Sequence, residues 1–254
     1  MEHDAEHGRM VMGRLAVSAI PVLNDNYVWM IQDTETGETA AVDPSVADPV
    51  LDAATANGFR IRQVLNTHWH PDHTGGNGGI KASTGCSITA PAEARRVSEV
   101  DHVVAEGDRV SVVGSEATVW DIPAHTAGHV AYYFEEEGMI FVGDTMFAMG
   151  CGRLFEGTAE QMYANLQRIA ALPEDVRIFC GHEYTLSNAR FATQAEPGNA
   201  AIADRMATVQ AQRDAGQITL PTTVALERET NPFVRASNVE EFARLRRDKD
   251  SFRS

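Results

Sequence analysis

Thr67–Gly76 reads THWHPDHTGG, and the fold of the whole chain turns on that stretch. Six residues carry His68, His70, Asp72 and His73, with Gly75 and Gly76 directly behind them. Imidazole and carboxylate are the ligands that zinc, iron and manganese accept. His68 and His70 lie two apart, so in an extended segment their side chains point to one side. Pro71 then turns the chain and lets Asp72 and His73 approach from another direction. A polar surface loop would explain histidines here singly, but not three of the chain's nine within six residues beside an aspartate. The stretch reads as a metal loop, with more ligands than one open zinc site takes from a protein.

Working outward, Ile61 to Asn66 is apolar enough for a strand that delivers the chain into this loop. Three further His or Asp residues also follow strand-like runs: His125 in PAHTAGH, Asp144 in FVGDT and His182 in FCGHE. Strands of one sheet bring their ends together, so these positions can converge with the loop. Five histidines and two aspartates are the right stock for two metals sharing a carboxylate. One ion would take three histidines, the other an aspartate and two histidines, and the second aspartate would lie between ions ~3.5–4 Å apart. His129, four residues after His125, is either a partner that orients a ligand or a plain polar contact, with the second favoured.

The rest of the 254 residues narrows the class. Apolar content of 43% and charged content of 22% describe an ordinary globular chain, and no apolar run reaches the ~20 residues of a membrane span. A net charge of −15 argues against nucleic acid, and it requires a local basic patch, a metal or both for any anionic substrate. The acidic leader MEHDAEHGRMVMG has no signal-peptide pattern, so residues 1–13 are expected to be a disordered tail and the protein cytoplasmic. Cys86, Cys151 and Cys180 are too few and scattered for a disulfide framework, and Cys180 is expected to pack beside His182. Asp48-Pro49 reads as a helix start with Asp48 as N-cap, Thr74 to Thr84 as a weak helix, and Thr158-x-x-Gln161 as a capping box. After His182 the strand pattern disappears and helices dominate, the last at about Asn238 to Lys249.

With these residues in hand, the chain resembles the metallo-β-lactamase superfamily through H-x-H-x-D-H, here His68 to His73. Within it, the glyoxalase II (hydroxyacylglutathione hydrolase) branch is the match. NDNYVW, THWHPDHTGGN, AHTAGHVAYYF, GCGRLFEGTAEQMY, CGHEYTLSNARFA, TNPFVR and LRRDKDSF carry it across about residues 20–252. The resemblance implies an α/β fold, an αββα sandwich over 14–182, followed by a small all-helical glutathione-binding domain over 183–254. It implies one metal on His68, His70 and His125 and another on Asp72, His73 and His182, with Asp144 bridging. The cofactors would be two divalent ions, zinc first with iron or manganese accepted. The implied reaction is hydrolysis of S-(2-hydroxyacyl)glutathione, chiefly S-D-lactoylglutathione, to glutathione and D-lactate in methylglyoxal detoxification. A metal-bridging hydroxide would attack, with Asp72 and Asp144 as catalytic residues. Arg153, Tyr184, Arg246 and Lys249 are implied to hold glutathione. Without the resemblance, Arg246, Arg247 and Lys249 read as a solvated basic helix end. Some members carry Lys at the Arg153 position and Tyr at the Phe155 position, which bears on glutathione affinity. The expected partner is a small molecule and the expected state a monomer. A persulfide dioxygenase or a lactonase of the same superfamily is the alternative.

Overall fold

The computed structural model describes residues 9–253. It divides into two compact units. One takes the chain as far as Asp121 and again over Gly128–Gly143; the other takes Ile122–Ala127 and the chain from Asp144 onward.

The first unit opens with a sheet whose strands lie in sequence order: β1 (Met10–Met12), β2 (Leu15–Val22), β3 (Asn26–Asp33), β4 (Glu38–Val42), β5 (Arg60–Leu65), β6 (Ser87–Pro91) and β7 (His102–Val104). β1 to β4 pair antiparallel, while β4 to β7 pair parallel. Parallel pairing requires crossovers. They are supplied by helix α1 (Asp48–Asn57) before β5, and by α2 (Pro71–Thr74) and α3 (Asn77–Thr84) before β6. Val50, Ala54 and Ile80 of those helices pack with Val28, Met30, Ala41, Val64 and Ile88 of the sheet. Burial of this kind contributes about 25 cal/mol per Å² of apolar surface. It also explains why β3 and β4 read as nearly continuous apolar runs instead of alternating ones. Four further strands, β8 (Arg109–Val112), β9 (Ser115–Asp121), β10 (Val130–Phe134) and β11 (Met139–Gly143), follow as antiparallel neighbours. Tyr132 of β10 donates its hydroxyl to the Asn66 carbonyl at 2.9 Å, tying this layer to the end of β5.

The second unit is mainly helical. It contains the hairpin β12 (Met146–Phe147) and β13 (Gly150–Cys151), helix α4 (Ala159–Ala170) and strand β14 (Arg177–Cys180). Then come α5 (Thr185–Ala195), α6 (Ala200–Asp214), the short strand β15 (Thr222–Thr223), α7 (Val224–Thr230), α8 (Pro232–Arg235) and α9 (Val239–Ser251). The capping box at Thr158 is complete: its hydroxyl accepts from Gln161 N–H, and the Gln161 side chain accepts from Thr158 N–H.

Four details differ from the sequence expectations. Strand β1 begins at Met10 and pairs with β2, so the expected tail over 1–13 is structured at its end, while residues 1–8 lie outside the described ones. Asp48 is inside the first turn of α1 and Ala47 is the N-cap, because Pro49 at the helix start already dispenses with a backbone donor. The helical conformation near the metal loop begins at Pro71 instead of Thr74. The last segment keeps one strand, β15, paired with β14. Among the described residues no helix is long and apolar enough to cross a membrane.

Candidate metal centre

β4 and β5 are parallel, so their C-terminal ends emerge at one edge, and Val42 and Leu65 are register partners there. Asp43 leaves the first strand and the histidine loop leaves the second. The buried Asp43 carboxylate accepts from Thr67 N–H at 2.8 Å and from the Thr67 hydroxyl at 2.7 Å, and it meets His73 Nδ1 at 3.1 Å. The Thr67 hydroxyl in turn lies 3.0 Å from His68 Nδ1. Both rings are therefore fixed through Nδ1 and turn Nε2 outward, the arrangement that sets tautomer and raises ligand basicity. His68 Nε2 sits 3.1 Å from His70 Nδ1, and His73 Nε2 sits 3.6 Å from Asp72 Oδ2.

Asp72 is held by Asn26, whose amide donates to its Oδ2 at 3.1 Å and to its carbonyl at 3.2 Å. Asn66 donates to the His73 carbonyl at 2.8 Å. Behind the loop, a side chain at Gly76 would meet the Pro44 carbonyl at 2.8 Å, so only glycine lets the segment pack this closely. His129 is fully buried and stacks on His68, centroids 4.6 Å apart. It packs against that candidate ligand, which is nearer the orienting alternative than the plain polar contact. Asp43, His68 and His73 offer ligand atoms within 4.8 Å of one another. Because Oδ1 of Asp43 accepts from Thr67 N–H and Oδ2 accepts from the Thr67 hydroxyl and meets His73, Asp43 orients candidate ligands more than it supplies one.

The second unit gathers the other three expected ligands. Asp144 Oδ2 lies 3.4 Å from His125 Nε2 and 3.2 Å from His182 Nε2, so one carboxylate oxygen faces two imidazole nitrogens. His125 turns Nδ1 to the Arg153 carbonyl at 3.0 Å, again leaving Nε2 for a ligand. Its segment is pinned by Asn165, which donates to the Pro123 carbonyl at 2.7 Å, and by Glu156, which accepts from Ala127 N–H at 2.8 Å. A Cβ at Gly152 would run into the Asp144 carbonyl and stand 3.1 Å from His125 Nδ1. Cys180, buried, donates to the His182 carbonyl at 3.7 Å, and burial pushes its thiol well above the usual range. Tyr184 stacks on His182 at 4.7 Å with ring planes 8° apart.

The expected substrate residues fall into separate places within the second unit. Arg153, Phe155, Ala243, Arg246, Arg247 and Asp250 line a cleft of about 430 Å³. Arg153 is exposed there, whereas Arg246 is 6% exposed, bonded to the Cys151 carbonyl at 2.7 Å and to Asp250 at 2.9 Å. Phe155 is 60% exposed, with its ring 5.2 Å from that of His125. Lys249 is absent from the cleft lining; it donates to the Ser187 carbonyl and hydroxyl, both at 3.1 Å. The rings of Phe191 and Phe252 lie 5.6 and 5.1 Å from its ammonium. Burial, with Arg246 nearby, pulls its pKa down to about 8.

The residues present fit divalent ions. His68, His73 and His125 are anchored through Nδ1 and present Nε2, and one Asp144 oxygen is aimed between the Nε2 atoms of His125 and His182.

The profile described as the metallo-beta-lactamase superfamily matches residues 23–182, and that described as the hydroxyacylglutathione hydrolase C-terminus matches residues 183–252. The hydroxyacylglutathione hydrolase of Methylococcus capsulatus is 47% identical, covering 94% of this chain and 99% of the relative. That of Rhodospirillum rubrum is 46% identical, covering 95% and 100%. Among solved structures, ETHE1 from Myxococcus xanthus superposes with a TM-score of 0.67 at 24% identity, covering 90% of this chain and 88% of the other. TTHA1623 in a di-iron-bound form gives 0.62 at 20%, covering 85% and 98%. At those identities the structural likeness shows the fold alone. The sequence relatives and the two profiles go further: the chain belongs to the hydroxyacylglutathione hydrolase family of the metallo-β-lactamase superfamily.

Proposed function

We propose that this enzyme hydrolyses S-(2-hydroxyacyl)glutathione thioesters, chiefly S-D-lactoylglutathione, to glutathione and the free hydroxy acid. Two divalent ions, zinc first, are proposed on His68, His70 and His125 and on Asp72, His73 and His182, with Asp144 shared. The observation that carries this reading is the single Asp144 oxygen facing both His125 Nε2 and His182 Nε2. Such ions supply water activated at neutral pH and a Lewis acid for the thioester carbonyl.

The chain's own groups do the rest. Asp43 and Thr67 hold His73 and His68 in the ligating orientation. Asp72, fixed by Asn26, is placed to hold a proton while the tetrahedral centre forms. A free cysteine thiol has a pKa of about 8.5, so the glutathione thiolate leaves without a strong general acid, and none is required of Tyr184 or Lys249. Arg153, Arg246 and Lys249 are cations on a chain of net charge −15, suited to the carboxylates of the tripeptide. Tyr184 would add its hydroxyl beside His182.

Metal analysis of the purified protein together with an S-D-lactoylglutathione assay tests the reading. Two ions per chain with thioester cleavage is the expected result. Iron with oxygen consumption on glutathione persulfide, and no thioesterase activity, would overturn it. The expected setting is a monomeric cytoplasmic enzyme of methylglyoxal detoxification.

A further inference from the structure

Glu227 of α7 is fully buried, far in sequence from every expected ligand, and surrounded by donors. Its Oε1 accepts from the Thr222 hydroxyl at 2.6 Å and from Arg205 at 2.8 Å. Its Oε2 accepts from Met149 N–H at 2.9 Å and from the Asn231 amide at 2.8 Å. Burying a carboxylate is costly even when it is paired, and an apolar replacement of equal volume often does as well for stability. Its use here is explained by what Oε2 holds.

Met149 is at the tip of the β12–β13 hairpin with φ of 57°, a left-handed conformation unusual for a residue with a side chain. That side chain packs with Ala189, Ala192 and Ile202. Asn231 donates to the Phe147 and Gly150 carbonyls at 3.3 and 2.9 Å, from either side of the tip. Two residues beyond Gly150, Gly152 donates to the Thr145 carbonyl at 3.1 Å, and its Cα lies against Asp144 and His125. Arg153 then gives His125 its carbonyl. One short hairpin therefore joins Asp144 to the group that orients His125, and its tip is gripped by Glu227 and Asn231.

We propose that Glu227 and Asn231 are positioning residues for the metal centre, acting through the β12–β13 hairpin to hold Asp144 and His125 in mutual register. This rests on the dinuclear reading above. Glu227→Gln keeps the shape but places an amide N–H₂ where one pair of donors needs an acceptor. Asn231→Ser can still cap α8, which Asn231 now does for Phe233 N–H, but cannot reach the hairpin carbonyls. Asn199→Ala is the control: it removes the cap of α6 and the bond to the Glu229 carbonyl, but no hydrogen bond to the hairpin.

Each variant is measured for folding, for metal retained against a chelator, and for kcat and KM separately. Glu227→Gln and Asn231→Ser are expected to lose metal about tenfold more readily and to drop kcat about tenfold with KM within about twofold. Asn199→Ala is expected to melt earlier yet keep metal and kcat. If Glu227→Gln does not fold, Asn231→Ser decides alone. Wild-type metal retention and kcat in a folded Asn231→Ser would overturn the proposal. A wild-type protein without metal or thioesterase activity would instead overturn the reading beneath it.

Discussion

The two units build their shares of the ligand set by opposite means. In the first, four candidate ligands come from six consecutive residues, and one buried carboxylate, Asp43, fixes the loop from the neighbouring strand end. In the second, His125, Asp144 and His182 are remote in sequence and meet only because the chain folds them onto one carboxylate oxygen. Their support is equally dispersed: a backbone carbonyl at Arg153, a hairpin, and side chains of three later helices. A contiguous motif can be held by a few braces on one loop, here Asp43, Asn26 and Asn66. A dispersed one depends on much more of the chain being in place.

That contrast breaks most visibly at Asp144. Asp144→Ala removes the oxygen between His125 and His182, and kcat is expected to fall on the order of a thousandfold, with both ions weakened in metal analysis. Wild-type rate and metal content would remove the shared-carboxylate mechanism. Gly152→Ala attacks the same half by steric means, pressing a methyl against the Asp144 carbonyl. A destabilisation of about 1–3 kcal/mol in thermal melts, with metal loss, is expected. Asp43→Asn probes the contiguous half. Asparagine tolerates the φ of 53° at this position and can still accept from Thr67 N–H, but it offers His73 no charge. A loss of about 10–100-fold in metal affinity is expected by chelator competition, with little change in thermal stability.

The contrast also decided what could be read from the sequence. His68 to His73 was legible because its chemistry is concentrated in one loop, and Asp144 and His182 because each follows an obvious apolar run. Asp43 was missed although it too ends a strand: alone before Pro44 it looks like an ordinary turn residue. Its role requires knowing that β4 and β5 are parallel neighbours. Asn26, behind Asn24 and Asp25, carries no local mark of a site residue, yet its amide holds Asp72 across a large sequence gap. The β12–β13 hairpin has two-residue strands, too short for any periodicity to register. Glu227 sits among the charged residues of VALERET, where nothing local distinguishes a buried carboxylate from a solvated one.

The smallest expected effect is at Lys249, where the binding role proposed for the second unit can be separated from its proposed metal role. Lys249→Ala is expected to raise KM about tenfold and leave kcat within about twofold, the mark of uniform binding. Its ammonium is partly buried, and desolvation with Arg246 nearby brings its pKa from 10.5 to about 8. A substrate carboxylate needs the charged form, so KM should climb as pH rises through about 8 while kcat holds. Stability should move the other way. The folded state carries a desolvated charge below about 8 and sheds it above, whereas the unfolded chain keeps its proton to 10.5, so melting temperature gains over that window. Lys249→Arg separates the two trends, because arginine stays charged throughout. Its KM should stay flat with pH, and its melting curve should lose the gain. A KM profile that still climbs in Lys249→Arg would assign the effect to another group and detach Lys249 from the substrate.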